Sequence, residues 1–195
     1  TMGRALQPRT CGQIVASYAF SLNRCMPNLE SFISANRQST ANFAAAARSV
    51  APARWSQPVA PGKWTPAQIV EHVAISYEVA TRALAGDSSM GSAPSFLRPV
   101  IRALAFNGVL RKGAFPTKQK GPRVFAPSAA PPVLEGGITR LEQAVATFEA
   151  KAREMERGGT HEFEHTFFGR LAVADYVRFS ELHTKHHQQQ LASPV

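Results

Sequence analysis

Near the end of the chain, residues 181–187 read ELHTKHH, and this stretch holds three of the six histidines. In an α-helix, His183 and His187 lie four residues apart and therefore one above the other on a single face. Two imidazoles in this arrangement can bind one divalent metal ion, as helical histidine pairs do in zinc enzymes. Such a site requires that this face points into the protein and that a third ligand reaches it from elsewhere.

Periodic apolar residues predict four helices. They span about residues 28–50, 65–85, 135–157 and 172–191. Thr65 followed by Pro66 is typical of a helix start, with a capping residue and then proline at the first helical position. In the fourth helix, the two histidines continue one stripe with Val173, Tyr176, Val177, Ser180 and Leu191. The pattern predicts an all-α protein, a four-helix bundle with up-down connections.

His72 provides the third ligand of a predicted metal site. It lies on the apolar face of the second helix, between Ile69 and Val73 in the helical repeat. Helices two and four can be neighbours in a bundle, and metal ligands in bundles come from inward side chains of facing helices. Three neutral imidazoles leave a fourth position open, as in catalytic zinc sites. Without a metal, three polar rings in the core would each need another partner.

The remaining histidines are weaker candidates. His186 departs from the apolar stripe, so we expect it beside the site or on the surface. His161 and His165 flank two glutamates in a predicted loop before the fourth helix. They could line the mouth of the site, but we favour a solvated loop. No segment alternates clearly enough to predict a strand.

A long basic insert, residues 86–134, separates the second and third helices. Residues 88–134 contain seven lysines and arginines and no acidic residue, against a net charge of +9 for the whole chain. Apolar spacing over residues 96–104 allows a short amphipathic helix, and Pro99 argues against a long one. The second half is rich in proline and is predicted to be extended. Inserts of this length often cover a functional site, and this one could be a mobile cover that binds an anionic substrate.

The composition indicates a soluble protein with one bundle domain, residues 28–195. No run approaches the roughly 20 apolar residues that a membrane-spanning helix needs. We therefore expect a cytoplasmic protein with no membrane partner. The insert carries no nucleic-acid motif, so no specific nucleic-acid partner is expected. Residues 1–27 are predicted to be an N-terminal extension, ordered or disordered, and its Cys11 and Cys25 do not make a disulfide framework.

Three segments resemble the DinB-like superfamily of bacterial metal-binding four-helix bundles. They are GKWTPAQIVEHV at residues 62–73, HTFFGRL at 165–171 and LHTKHH at 182–187. The resemblance covers roughly residues 28–191. It implies that the metal ligands are His72, His183 and His187. The chain departs from the family pattern at Ala172, where a capping Thr or Ser is expected, and in its longer insert, which resembles inserts of a subgroup of unknown function.

The resemblance implies a metal-dependent hydrolase or a thiol (S-)transferase of unknown substrate. Zinc or nickel is the expected cofactor, and iron or copper also suits three imidazoles. The expected partner is a small molecule, such as a low-molecular-weight thiol, and spare apolar surface would allow a homodimer. The alternative is a non-catalytic, stress-associated metal-binding bundle, because the sequence offers no clear acid–base partner. Glu71 points off the core face, and Tyr77 and Tyr176 are expected to pack inside with hydrogen-bonded hydroxyls.

Overall fold

A computed structural model describes residues 28–89, 91–116 and 122–192 of the chain. Its elements are, in order, helices α1 (Leu29–Arg48), α2 (Pro66–Leu84), α3 (Arg98–Ile101), α4 (Asn107–Lys112) and α5 (Leu134–Arg157), strands β1 (Glu162–His165) and β2 (Gly169–Ala172), and helix α6 (Val173–Ala192). The four long helices confirm the predicted bundle to within about two residues at each end. The predicted extension, residues 1–27, lies outside the described residues. In the described part, no helix has the length and hydrophobicity to cross a membrane.

The order of the helices around the bundle differs from the prediction. Helix α1 packs mainly on α6, and α2 packs mainly on α5, with smaller contacts between α2 and α6 and between α1 and α5. Consecutive helices α1 and α2 therefore lie across the bundle from each other, and the predicted up-down connection between neighbours is wrong at this point. The connection over residues 49–65 is long enough to cross the end of the bundle. This order brings α2 beside α6.

A buried polar network ties the four long helices together. The Tyr77 hydroxyl donates to Asn36 Oδ1 at 2.5 Å and lies 2.8 Å from Thr184 Oγ1. Asn36 Nδ2 donates in turn to Glu149 Oε1 at 3.2 Å, and the guanidinium of Arg37 neutralises this buried carboxylate. Buried polar groups are tolerated in a core when they are hydrogen-bonded in this way. The expectation that Tyr77 packs inside with a bonded hydroxyl is confirmed.

A short β-hairpin precedes α6, where a loop was predicted. Strands β1 and β2 pair antiparallel, with His165 opposite Gly169. Gly169 closes the turn at a φ of +71°, a conformation that glycine adopts without strain. Within the hairpin, His165 of β1 and Leu171 of β2 are buried, whereas His161, just before β1, is exposed. The expectation of a strand-free, solvated loop is therefore wrong for His165 and confirmed for His161. Strands of four residues are too short to show a convincing alternation.

The insert is more helical than predicted. Residues 98–112 form a continuous helical segment in which a π-helical stretch, Arg102–Phe106, joins α3 to α4. Pro99 lies in the first turn, where a missing N–H costs no hydrogen bond, and so it begins the helix. Phe106 and Val109 are its buried side chains. Of the five residues predicted to form its apolar face, Ile101 is partly buried and the other four are exposed, namely Phe96, Leu97, Val100 and Leu104. Arg123–Phe125 forms a 3-10 turn where extended chain was predicted.

Candidate metal centre

Helix α6 directs His183 and His187 towards the inside of the bundle. Val173 and Val177, on the same face, are fully buried, His187 is buried and His183 is partly buried. The i,i+4 spacing brings the two rings together edge to face, and their Nε2 atoms lie 3.1 Å apart. The prediction that both histidines continue the buried stripe is confirmed.

Helix α2 brings His72 to the same point. Its start is well defined, because Thr65 Oγ1 accepts the Gln68 backbone N–H while Gln68 Oε1 accepts the Thr65 backbone N–H. His72 follows on the side that faces α6, is buried, and places Nε2 at 3.3 Å from His183 Nε2. The three histidines that the sequence singles out therefore meet between α2 and α6.

The three ring nitrogens fit one divalent ion. The ligand atoms of His72, His183 and His187 all lie within 4.8 Å of one another. Tetrahedral bonds of about 2.0–2.1 Å place neighbouring nitrogens about 3.3–3.4 Å apart. The observed separations of 3.1 and 3.3 Å are close to this value. His72 Nδ1 carries its proton, because its partner at 2.6 Å is the Phe125 carbonyl oxygen, which can only accept. The Nε2 atom of His72 therefore presents a lone pair to the other rings.

Burial keeps these imidazoles neutral at neutral pH. It lowers the pKa of His72 and lowers the pKa of His187 to about 3. Burial, reinforced by the repulsion that protonated His187, His72 and His186 would exert, also lowers the pKa of His183 well below the ordinary 6.5. Metal ions bind the neutral form of imidazole, so a cation would not have to displace protons from these rings.

The family model for the DinB superfamily matches residues 35–191, a span that contains all three histidines. The chain belongs to the DinB superfamily. The resemblance drawn from the three sequence segments is thereby confirmed.

Two solved four-helix bundles are similar in fold to this DinB-superfamily chain. TT2238, described as a four-helix bundle protein, is 22% identical with a TM-score of 0.53, and the match covers 85% of this chain and 100% of TT2238. YfiT from Bacillus subtilis, described as a probable metal-dependent hydrolase with an unusual four-helix bundle topology, is 15% identical with a TM-score of 0.53 and coverages of 84% and 83%. At these identities the likeness shows the fold alone. Comparison with curated proteins gives no match.

Aromatic rings and the insert surround the triad of this DinB chain. The ring centroid of Trp64 lies 4.6 Å from that of His72 and 6.4 Å from that of His187. Phe115, from the insert, lies 5.2 Å from His183. Two described residues of the insert, Phe115 and Phe125, therefore contact the triad.

Sequence reasoning missed two polar partners of the triad. Gln190 Oε1 lies 2.9 Å from His187 Nδ1, and Gln190 Nε2 lies 3.0 Å from His186 Nε2. His186 thus sits beside the site, as expected. The i,i+3 spacing from His187 could have identified Gln190. The second partner is the carbonyl of Phe125, and a backbone atom leaves no mark on the sequence.

The carboxylates nearest in sequence to the histidines have other partners. Glu181 is fully buried and forms ion pairs with Arg178 and Lys185. Glu71, which was expected to point off the core face, is instead buried and forms an ion pair with Arg140 of α5. In the described part of the chain, the cluster of metal-capable side chains therefore consists of three histidines alone.

His165 is a buried histidine with a separate role. Its Nδ1 accepts the backbone N–H of Phe167 at 3.1 Å, and its Nε2 lies 3.4 Å from the hydroxyl of Tyr176. Burial, with a smaller effect from the charge of Arg98, lowers the pKa of His165 from 6.5 to about 4. The ring is therefore neutral when folded and supports the packing of the hairpin on α6.

The metal-free protein is expected to lose stability as the pH falls from 6.5 to 4. In this window the unfolded chain protonates His165 and the folded chain does not, so acid favours unfolding. The shift from 6.5 to about 4 corresponds to about 3 kcal/mol from this residue. Urea unfolding across this pH range should give a shallower decline for His165→Gln. Equal declines in the two proteins would contradict the assignment.

Proposed function

We propose that this protein is a metal-dependent hydrolase whose triad, His72, His183 and His187, binds one divalent ion. The convergence of three neutral imidazoles, with neighbouring Nε2 atoms 3.1 and 3.3 Å apart, carries the proposal. Three protein ligands and one open position are the pattern of catalytic zinc sites. Zinc and nickel are the favoured ions, and iron and copper also accept imidazole ligands. The description of YfiT as a probable metal-dependent hydrolase supports this choice of reaction.

The residues around the triad prepare it for this role. Phe125 and Gln190 hold the Nδ1 atoms of His72 and His187, which orients both rings. Trp64 packs against the ring of His72, and Phe115 packs against the ring of His183. A divalent ion at this position supplies Lewis acidity, which lowers the pKa of a water or thiol and polarises a carbonyl group.

Thiol transfer is a second reaction that the same triad could support. A thiolate is a soft ligand that suits zinc, so a low-molecular-weight thiol could occupy the open position. Arg111, Lys112 and Arg123 are exposed on the insert and would attract an anionic thiol or acid. The hydrolase proposal needs water in place of this thiol.

A non-catalytic metal-binding bundle is the second candidate function. It is favoured by the composition of the cluster, which holds three histidines and no carboxylate within the described residues. Glu71 and Glu181 are engaged by arginine and lysine side chains and are therefore poor candidates for a general base. In this case the ion would serve to stabilise the fold.

Metal content and turnover, measured on one preparation, test these proposals. Tag-free protein purified without chelators is analysed by plasma mass spectrometry, and about one ion per triad is expected. Esters and amides are then assayed with and without metal, and electrophiles are assayed with small thiols. Metal-dependent turnover supports an enzyme, and the substrate that reacts separates hydrolysis from thiol transfer. A bound ion that raises the melting temperature without turnover supports the non-catalytic bundle. If the protein contains no bound ion and takes up neither zinc nor nickel, the enzyme proposals and the non-catalytic proposal are all overturned.

A further inference from the structure

One residue of the triad takes its orientation from the insert. The Phe125 carbonyl oxygen, in the 3-10 turn of residues 123–125, lies 2.6 Å from His72 Nδ1. A neutral imidazole has one N–H, so this contact places the proton on Nδ1. It leaves Nε2 unprotonated, with a lone pair that can bind a metal ion. The Nδ1–H tautomer of His72, whose Nε2 is free to bind a metal ion, therefore depends on the position of the Phe125 carbonyl in the insert.

Glu71 holds the insert at this point. Its Oε2 accepts two hydrogen bonds from Ser128, one from the backbone N–H at 2.8 Å and one from Oγ at 2.9 Å. Ser128 follows Phe125 by three residues, and Glu71 precedes His72 by one. The Glu71 side chain thus links the segment that carries Phe125 to the turn of α2 that carries His72.

The Glu71 carboxylate is itself held in place by α5. Arg140 Nη1 donates to Glu71 Oε1 at 3.3 Å, and the same guanidinium forms two hydrogen bonds to Glu78, at 2.7 and 2.9 Å. A buried carboxylate is costly unless it is paired and hydrogen-bonded, and here both oxygens have partners. Arg140 therefore helps to hold the Glu71 carboxylate that binds Ser128.

We propose that Glu71 is a positioning residue for the metal site. By binding Ser128, it holds the Phe125 carbonyl against His72 and so selects the Nδ1–H tautomer, whose Nε2 faces His183. This inference rests on the proposed metal-binding role of the triad. Its structural core, the control of the His72 tautomer by Glu71, can be measured without any metal.

Nitrogen NMR of the histidine side chains in the metal-free protein tests the tautomer directly. Protonated and unprotonated ring nitrogens give well-separated signals, so the tautomer of His72 can be read from them. We expect the Nδ1–H form in the parent protein and a mixture of tautomers in Glu71→Ala. Glu71→Gln keeps an acceptor oxygen for Ser128 and should restore most of the Nδ1–H form.

Glu78→Ala is the matched control for this experiment. It removes the other carboxylate bound to Arg140 from the same helix, and Glu78 makes its ion pair with Arg140 without bonding to Ser128. The His72 signals of this variant should match those of the parent. Ser128→Ala removes one of the two hydrogen bonds to Glu71 and should shift the tautomer in the same direction as Glu71→Ala by a smaller amount, which provides a milder test if Glu71→Ala does not fold.

Cobalt affinity, measured by competition on the same variants, gives the second readout. Loss of an outer partner of a metal-binding histidine typically lowers affinity by about 10- to 100-fold. We expect a loss in this range for Glu71→Ala and none for Glu78→Ala. An unchanged His72 tautomer in Glu71→Ala would overturn the inference. If the parent protein binds no cobalt, zinc or nickel, the proposed function fails, while the NMR result still decides the role of Glu71.

Discussion

His183→Ala is expected to bind zinc roughly 100- to 1000-fold more weakly than the parent protein. Four-ligand structural zinc sites are worth about 10–16 kcal/mol, or about 2.5–4 kcal/mol per ligand, and each 1.4 kcal/mol changes affinity about tenfold. His183 lies between the other two, since its Nε2 atom is the shared neighbour of His72 and His187. Its removal would leave two ligands from different helices and no central donor. Competition titration with a zinc chelator measures the change.

His161→Ala is the matched control for that experiment. His161 is exposed, and its Nδ1 is 2.9 Å from a carboxylate oxygen of Glu156, outside the triad. The affinity of His161→Ala for zinc should equal that of the parent protein. Metal content that survives in His183→Ala and disappears in His161→Ala would contradict the assignment of the site. Zinc should also raise the melting temperature of the parent and of His161→Ala, because a ligand that binds only the folded state stabilises it.

Phe148→Ala is expected to cost about 3–5 kcal/mol of unfolding free energy, a large part of the roughly 5–15 kcal/mol that holds a typical domain together. Phe148 is fully buried on α5, and its ring centroid lies 5.5 Å from that of Tyr77 and 6.0 Å from that of Tyr176. Its loss would open a cavity between α2, α5 and α6. Urea unfolding of the metal-free protein measures the cost.

Phe96→Ala makes the same chemical change at an exposed position of the insert. Phe96 is 76% exposed, so the substitution should alter stability by no more than about 0.5 kcal/mol. Comparable losses in Phe96→Ala and Phe148→Ala would show that the core does not lie where the structure places it. The difference between the two variants therefore measures burial separately from the loss of an aromatic ring.

Helical periodicity predicted the long elements well because it is a local property. The boundaries of α2 followed from Thr65 and Pro66, whose capping geometry the structure reproduces. The inward direction of His183 and His187 followed from their spacing relative to Val173 and Val177. Each of these statements depends only on residues within a few turns of one helix.

The hairpin and the insert were predicted less well because their structure depends on distant contacts. Strands of four residues carry little periodic signal, and β1 and β2 are defined by pairing with each other. The helix of the insert buries Phe106 and Val109 against the bundle and exposes Leu104, although all three are apolar. Which apolar face is buried depends on the surface that the helix meets.

The sequence by itself determined the four long helices, their buried faces and the identity of the three histidines, because each follows from spacing within one segment. Only the tertiary structure decided that α2 packs beside α6 and diagonally from α1, because that choice depends on how helix faces distant in sequence pack together. It also decided that His72 takes its partner from the carbonyl of Phe125. Every residue but proline carries the same backbone donor and acceptor, so such a contact is set by position in space and not by residue type.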